Sequence, residues 1–183
     1  MKNKTALFLA AVALTGTAFA GTEASSKEYK QSVSPTPCFK DQELSLDVFY
    51  SYNDAIDGGG TRYFHDRSGG GVGVNYFFTR YIGVGVDGNW WAGAPHRDAL
   101  HQVTGNLILR YPLEVLRVCA APYIFGGGGE AFDGRHTSVF DAGVGFEVRL
   151  TQNVGVFTDW RYNWTGEHRN NVDTTRAGIR FAF

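Results

Sequence analysis

The chain ends on Arg176-Ala177-Gly178-Ile179-Arg180-Phe181-Ala182-Phe183. Apolar side chains fall at Ala177, Ile179, Phe181 and Phe183, with Arg176, Gly178, Arg180 and Ala182 between them. A strand sends successive side chains to opposite faces. The segment therefore predicts a strand with one apolar, aromatic face and one small or cationic face, stopping on an aromatic residue.

The other end of the chain predicts export. Lys2 and Lys4 precede an apolar run from Ala6 to Leu14, and Ala18-Phe19-Ala20 forms a small-x-small cleavage site before Gly21. Residues 1–20 read as a secretory signal peptide. An anchor helix would need roughly 20 apolar residues, and Thr15, Gly16 and Thr17 interrupt this run. No cysteine sits at the cleavage point, which argues against a lipoprotein. The mature chain, Gly21 to Phe183, is one domain's worth of residues. With 17 basic and 18 acidic side chains, no nucleic-acid partner is expected. The chain carries 24 glycines and 15% aromatic residues. Glycine weakens helices and aromatics favour strands, so an all-β fold follows.

Residues 21–42 are polar, Ser-rich and Pro-punctuated, and read as an extended lead-in. From Glu43, period-2 alternation marks eight strands: about 43–52, 70–79, 82–90, 101–111, 119–128, 138–150, 154–164 and the terminal segment. Leu46, Val48 and Tyr50, for example, alternate with Ser45, Asp47 and Phe49. The fifth segment alternates poorly. A strand of about 10 residues, tilted 45° at roughly 3.3 Å per residue, spans about 23 Å, near the apolar band of a membrane barrel. Aromatics gather at strand ends (Tyr50, Tyr52, Trp90, Tyr111, Trp160, Tyr162, Trp164, Phe181, Phe183), as interfacial girdles require. The connections near 79–80 and 151–153 are tight and that at 112–118 is moderate. Those at 53–69, 92–100, 127–137 and 165–171 are longer and rich in Gly and charge. Eight strands return the C-terminus to the side on which the first strand began.

The terminal pattern, a polar residue, a glycine two positions on and an aromatic pair at the end, resembles the insertion signal of bacterial outer-membrane barrels. Residues 43–183 as a whole resemble the OmpA/OmpX-like family of small outer-membrane β-barrels. That resemblance implies an eight-stranded antiparallel up-and-down transmembrane β-barrel in the bacterial outer membrane. Residues 21–42 would be periplasmic and outer-membrane lipid would surround the barrel. It also implies that the barrel-assembly machinery reads Gly178, Phe181 and Phe183. No peptidoglycan-binding domain follows the barrel in this sequence, so the wall-anchoring role of two-domain relatives does not carry over.

On the polar strand faces stand Asp47, Asp87, Asp141, Glu147 and Asp159, with Arg110, Arg149, Arg161, Arg176 and Arg180. An eight-stranded barrel is just wide enough for side chains to fill it, and an isolated buried charge costs several kcal/mol. Five acids matched by five guanidiniums thus predict a lumenal salt-bridge network. Arg suits this because its planar fork engages both carboxylate oxygens. Gly71, Gly73, Gly83, Gly85, Gly143, Gly145 and Gly155 are expected to make room for these long side chains. Cys38 and Cys119 are the only cysteines, in an exported chain where disulfides persist. Residues 38 to 43 reach about 16 Å at roughly 3.3 Å per residue, about the barrel's width, which predicts a Cys38–Cys119 disulfide folding the lead-in across the periplasmic mouth.

His65, His96, His101, His136 and His168 all fall on expected outer loops or strand tips. Imidazoles converging at a barrel mouth could bind Zn²⁺ or Cu²⁺, but polar residues belong on loops in any case and no pair has helical metal-ligand spacing, so neither metal nor cofactor is expected. Asp54, Asp57, Asp66, Asp98, Glu130, Asp133 and Glu167 could supply acids at the barrel mouth, but no motif of a surface hydrolase acting on lipid or peptide accompanies them. The residues favour a monomeric, non-enzymatic barrel with an envelope-integrity or surface-contact role and outer loops open to an extracellular ligand. The competing reading is a narrow channel for ions or small solutes. A soluble lipocalin-like barrel would need an apolar interior, against the lumenal Asp and Arg residues.

Overall fold

The computed structural model describes residues 37–55, 67–91, 100–115, 118–132, 136–165 and 171–183. Residues 1–36, which hold the expected signal peptide and most of the expected lead-in, and the segments between those ranges lie outside the described residues. So do His65, His96 and His168, together with Asp57, Asp66, Asp98, Asp133 and Glu167.

The described chain forms β1 (Glu43–Ala55), β2 (Arg67–Phe77), β3 (Ile82–Trp91), β4 (Leu100–Arg110), β5 (Leu113–Val115), β6 (Val118–Phe132), β7 (His136–Arg149), β8 (Val154–Thr165) and β9 (Val172–Ala182). All pairings are antiparallel, in the order β4-β3-β2-β1-β9-β8-β7-β6-β5, and β4 pairing with β6 closes the ring. β5 is not an extra stave. Arg110 pairs with Tyr123 and Leu113 with Ala120, so β4 and β5 run along β6 in one register. Pro112 between them has no N–H to give the ladder, which splits one stave into two. The result is a closed eight-stranded barrel.

Several strand boundaries differ from the sequence expectation. The stretch 127–137 is not a long loop: β6 continues to Phe132 and β7 begins at His136. Gly127 and Gly129 in this stretch mark close backbone approach. A Cβ on Gly127 would lie 1.9 Å from the Gly105 carbonyl oxygen, and one on Gly129 1.9 Å from that of Val103. The last strand starts at Val172, directly after the connection expected at 165–171, although polar residues on both faces (Asp173, Thr174, Thr175) hide the alternation at its start. β2 begins at Arg67, before its apolar contrast sets in.

The two faces of the wall differ sharply. Outward side chains are apolar and open, as at Val48 (54% exposed), Val86 (57%) and Leu107 (53%), whereas Asp47, Asp141, Glu147 and Arg180 inside are buried. An apolar exterior around a polar interior inverts the arrangement of soluble proteins and suits a hydrocarbon surrounding, in which a closed ladder leaves no strand edge unpaired. Exposed aromatics ring both ends: Tyr76, Phe78, Tyr81, Tyr111 and Phe183 at the end carrying the tight turns, and Tyr50, Tyr52, Trp90, Trp160 and Trp164 toward the other.

Glycine placement yields a test. On Gly143 a Cβ would meet the Trp160 carbonyl oxygen at 2.3 Å and the Phe125 ring at 2.4 Å, whereas on Gly88 its nearest neighbour is 3.7 Å away. Gly143→Ala is expected to cost about 1–3 kcal/mol by overpacking, and Gly88→Ala to stay within about 0.5 kcal/mol of the parent. Denaturant titration of the barrel folded into phospholipid vesicles measures both.

Candidate functional site in the barrel lumen

The lumen is built in layers that start from the wall. Directly across the ladder, Phe49 faces Gly71 and Gly178, Phe77 faces Gly83, Phe125 faces Gly143, and Tyr123 faces Gly145. A Cβ at Gly71, Gly83, Gly143 or Gly145 would come within 2.3–2.6 Å of the facing ring. These four glycines therefore accommodate aromatic rings, not the charged chains for which the sequence reading reserved them. Gly85 yields to the Asn75 amide, Gly73 lies between Asp47 and Asp87, each ion-paired with an arginine, and Gly155 adjoins the pair of Arg149 and Glu147.

Guanidinium groups then stack on the rings. Arg110 lies 3.7 Å over Phe77, Arg176 4.6 Å over Phe49, Arg161 4.9 Å over Phe125, and Arg180 4.9 Å over Phe157. Such contacts are each worth about 0.5–2 kcal/mol, most when desolvated. Stacking also fixes the plane of each guanidinium, leaving its edge free to meet carboxylates.

Those edges carry the ion pairs. Arg180 grips Asp47 with both bonds at 2.7 Å and also pairs with Glu147. Arg176 grips Asp159 at 2.7 and 2.9 Å and reaches Asp87 at 3.2 Å. Arg161 meets Asp87 at 2.9 and 3.2 Å and pairs with Asp141. Asp87 also accepts hydrogen bonds from Asn89, Thr104 and Asn106, and Asp159 accepts one from the Tyr123 hydroxyl. In the ring of eight staves, β3 and β8 stand opposite each other. The Arg161–Asp87 pair therefore crosses the full width of the lumen. All ten expected residues sit inside the barrel, each in at least one ion pair.

Glu43 belongs with them. Its carboxylate receives Arg110 at 2.8 Å and Arg149 at 2.6 Å, and it is 1% exposed. Its parity with Ser45 and Asp47 was the available signal, masked by its place at the start of the strand. Arg67 is a further buried guanidinium on the inner face, at the stave end that alternation did not reveal.

At the end carrying the tight turns, the lead-in enters the barrel. Cys38 and Cys119 form a disulfide, and Phe39 beside it is completely buried. Arg110 and Arg149 lie 4.8 and 5.0 Å over the Phe39 ring. The chain then reverses through Gln42, whose φ of 56° is left-handed, while Asp41 accepts the Arg80 backbone N–H at 2.7 Å. Phe39 gave no sequence signal, because nothing periodic surrounds it. At the opposite end, Gln102, Asn163, Thr174 and Asn53 form a hydrogen-bonded chain beside a buried cluster of Trp91, Ala131, Val139 and Val172.

The remaining expected residues lie on the outside or at the rims. Phe181 and Phe183 are exposed, and the Phe183 N–H donates to the Leu44 carbonyl at 2.9 Å. Gly178 packs against Phe49. His101 and His136 flank Phe132 in register, and His136 lies 3.4 Å from Glu130 at the exposed rim.

No family model and no curated protein matches the chain. Its fold does match solved structures. Neisserial surface protein A is 16% identical over 77% of this chain and 96% of its own, with a TM-score of 0.57. Ail, the attachment invasion locus protein of Yersinia pestis, is 16% identical over 78% and 99%, with a TM-score of 0.54. A de novo designed transmembrane β-barrel is 17% identical over 79% and 98%, with a TM-score of 0.56. The chain thus has the architecture of the small eight-stranded outer-membrane barrels. That a designed barrel matches as well as natural ones shows that the likeness is one of fold.

The disulfide closes a segment with a sequence separation of 81 residues. Cys38→Ser, or reduction of the parent, is expected to lower stability by about 2–5 kcal/mol through the freer unfolded chain. Unfolding titrations with and without reductant read the change, and the Cys38→Ser variant is expected to lose all sensitivity to reductant.

Proposed function

We propose that this protein is a closed, non-conducting barrel of the bacterial outer membrane, serving envelope integrity or surface contact through its exterior. The observation that supports this most is the Arg161–Asp87 pair across the lumen, within the ladder of stacked and paired guanidiniums. An ion entering would have to break pairs held in a dehydrated interior, where stripping water costs several kcal/mol per charge. A void of about 20 Å³ among Asp47, Asp87, Tyr123, Arg161, Arg176 and Arg180 has room for one water. Phe39 adds a seal at one end and the Trp91 cluster another at the far end.

The orientation follows from connection lengths. Residues 37–42, the turns at 78–81 and 150–153, and Phe183 share one end. Short turns belong to the periplasmic side, so the lead-in and the short link from β5 to β6 are periplasmic, and the four remaining connections belong to the outer side. Those connections are the part of the protein free to meet an extracellular ligand. Gly178, Phe181 and Phe183 serve the barrel-assembly machinery, and the functional unit is a monomer without enzymatic activity.

Two measurements test this reading. The protein is expected in the outer-membrane fraction with heat-modifiable gel migration, and folded protein in planar bilayers is expected to pass no steady current. A reproducible ohmic conductance would overturn the closed lumen. A protein soluble in the periplasm would overturn the membrane reading itself.

A further inference from the structure

The outer wall is not uniform. Beside the Pro112 interruption, at the end carrying the tight turns, a groove of about 560 Å³ runs along the lipid-facing side around Pro122. This is within the range of roughly 300–1,000 Å³ typical of small-molecule sites. Its outward-facing lining is apolar and aromatic: Tyr81, Ile82, Leu109, Tyr111, Ile124 and Val144, all exposed. Its origin is local. The Tyr111 N–H reaches the Pro122 carbonyl at 2.9 Å, but Pro122 has no N–H to return the bond. Its short ring also leaves a notch among longer neighbours.

A cation stands at the rim of this groove. The Arg80 guanidinium lies 5.1 Å over the ring of Tyr81, which lines the groove. The Arg80 backbone is held from both sides, its N–H by Asp41 at 2.7 Å and its carbonyl by Arg110 at 2.9 Å. Among the described residues, its guanidinium makes no ion pair with a carboxylate. An apolar groove on the membrane face, with an anchored cation at the level of the interfacial tyrosines, matches the two halves of one molecule.

We propose that this groove is a binding site for a single phospholipid, one acyl chain lying along Ile82, Leu109, Ile124 and Val144 and the phosphate meeting Arg80. The site rests on the membrane reading above, and places the lipid in the leaflet on the side of the tight turns. Two tyrosines at the rim, Tyr81 and Tyr111, have the amphipathic shape that suits the headgroup boundary. A surrounding annulus of lipid would touch every stave alike. Here one stretch of wall combines a recess with a cation resting on one of its lining rings.

The test is native mass spectrometry of the folded barrel in detergent, titrated with phosphatidylglycerol, for the parent, Val144→Trp and Arg80→Gln. The parent is expected to retain one lipid more tightly than all others. Val144→Trp, which fills the groove from an exposed position, is expected to lose that lipid. Arg80→Gln is expected to bind it about tenfold more weakly, the loss of one charge-assisted bond. The same ladder of weak adducts in all three proteins means annular lipid only and overturns the site. A dimer that disappears in Val144→Trp also overturns it, in favour of a second copy in the groove. Heat-modifiable migration after vesicle insertion separates the two readings: an inserted barrel with a uniform adduct ladder refutes the site alone, and a barrel that fails to insert refutes both.

Discussion

An eight-stranded barrel encloses too little space to keep its interior charges hydrated, and the rest of this structure follows from that narrowness. Among the described residues, six carboxylates (Glu43, Asp47, Asp87, Asp141, Glu147, Asp159) and six guanidiniums (Arg67, Arg110, Arg149, Arg161, Arg176, Arg180) are buried inside. Their solution is a repeated stack of glycine, ring, guanidinium and carboxylate from the wall inward. Each layer requires the one outside it. A side chain on Gly143 would lift the Phe125 ring, and a lifted ring would displace Arg161 from both Asp87 and Asp141. Removing one partner of a buried pair costs about 3–5 kcal/mol, so the stack ties the lumen's chemistry to the wall's geometry.

Much of the fold was legible in period-2 alternation, because a membrane barrel sorts polar and apolar residues more cleanly than a soluble sheet. The inward parity of Asp47, Arg110, Asp159 and Arg180 could be read this way, as could the closing strand next to the first. What could not be read depends on packing across the barrel. Alternation says that Arg161 faces inward. It cannot say that Arg161 meets Asp87 on the opposite stave, since that depends on how the staves stagger when the sheet closes. Composition misled beyond Gly128, where the strand continues to Phe132 instead of opening into a long loop. Phe39 stayed invisible because a single plug residue has no period. The cysteine pair pointed to the right place for a different reason, reach and compartment, and the ring it positions was a finding of the structure.

A lumen lined with paired charges shifts attention to the outside of the protein. The outer wall meets acyl chains around its whole circumference, the aromatic ends mark the two interfaces, and the notch at Pro122 breaks the uniformity at one place. A proline in a closed barrel removes a ladder hydrogen bond in an environment where unpaired backbone groups are costly. That interruption lies close in sequence to Cys119, whose disulfide with Cys38 ties the segment before β1 to the same stave.

The claim on which the account rests is that charges facing each other across the lumen are dehydrated partners and not independently solvated groups. A double-mutant cycle on Asp87→Asn and Arg161→Met, read by denaturant unfolding in phospholipid vesicles, addresses it directly. The account predicts a coupling energy of roughly 1–3 kcal/mol between the two sites. Effects that add to within about 0.5 kcal/mol would mean that water reaches both groups separately, and would contradict it.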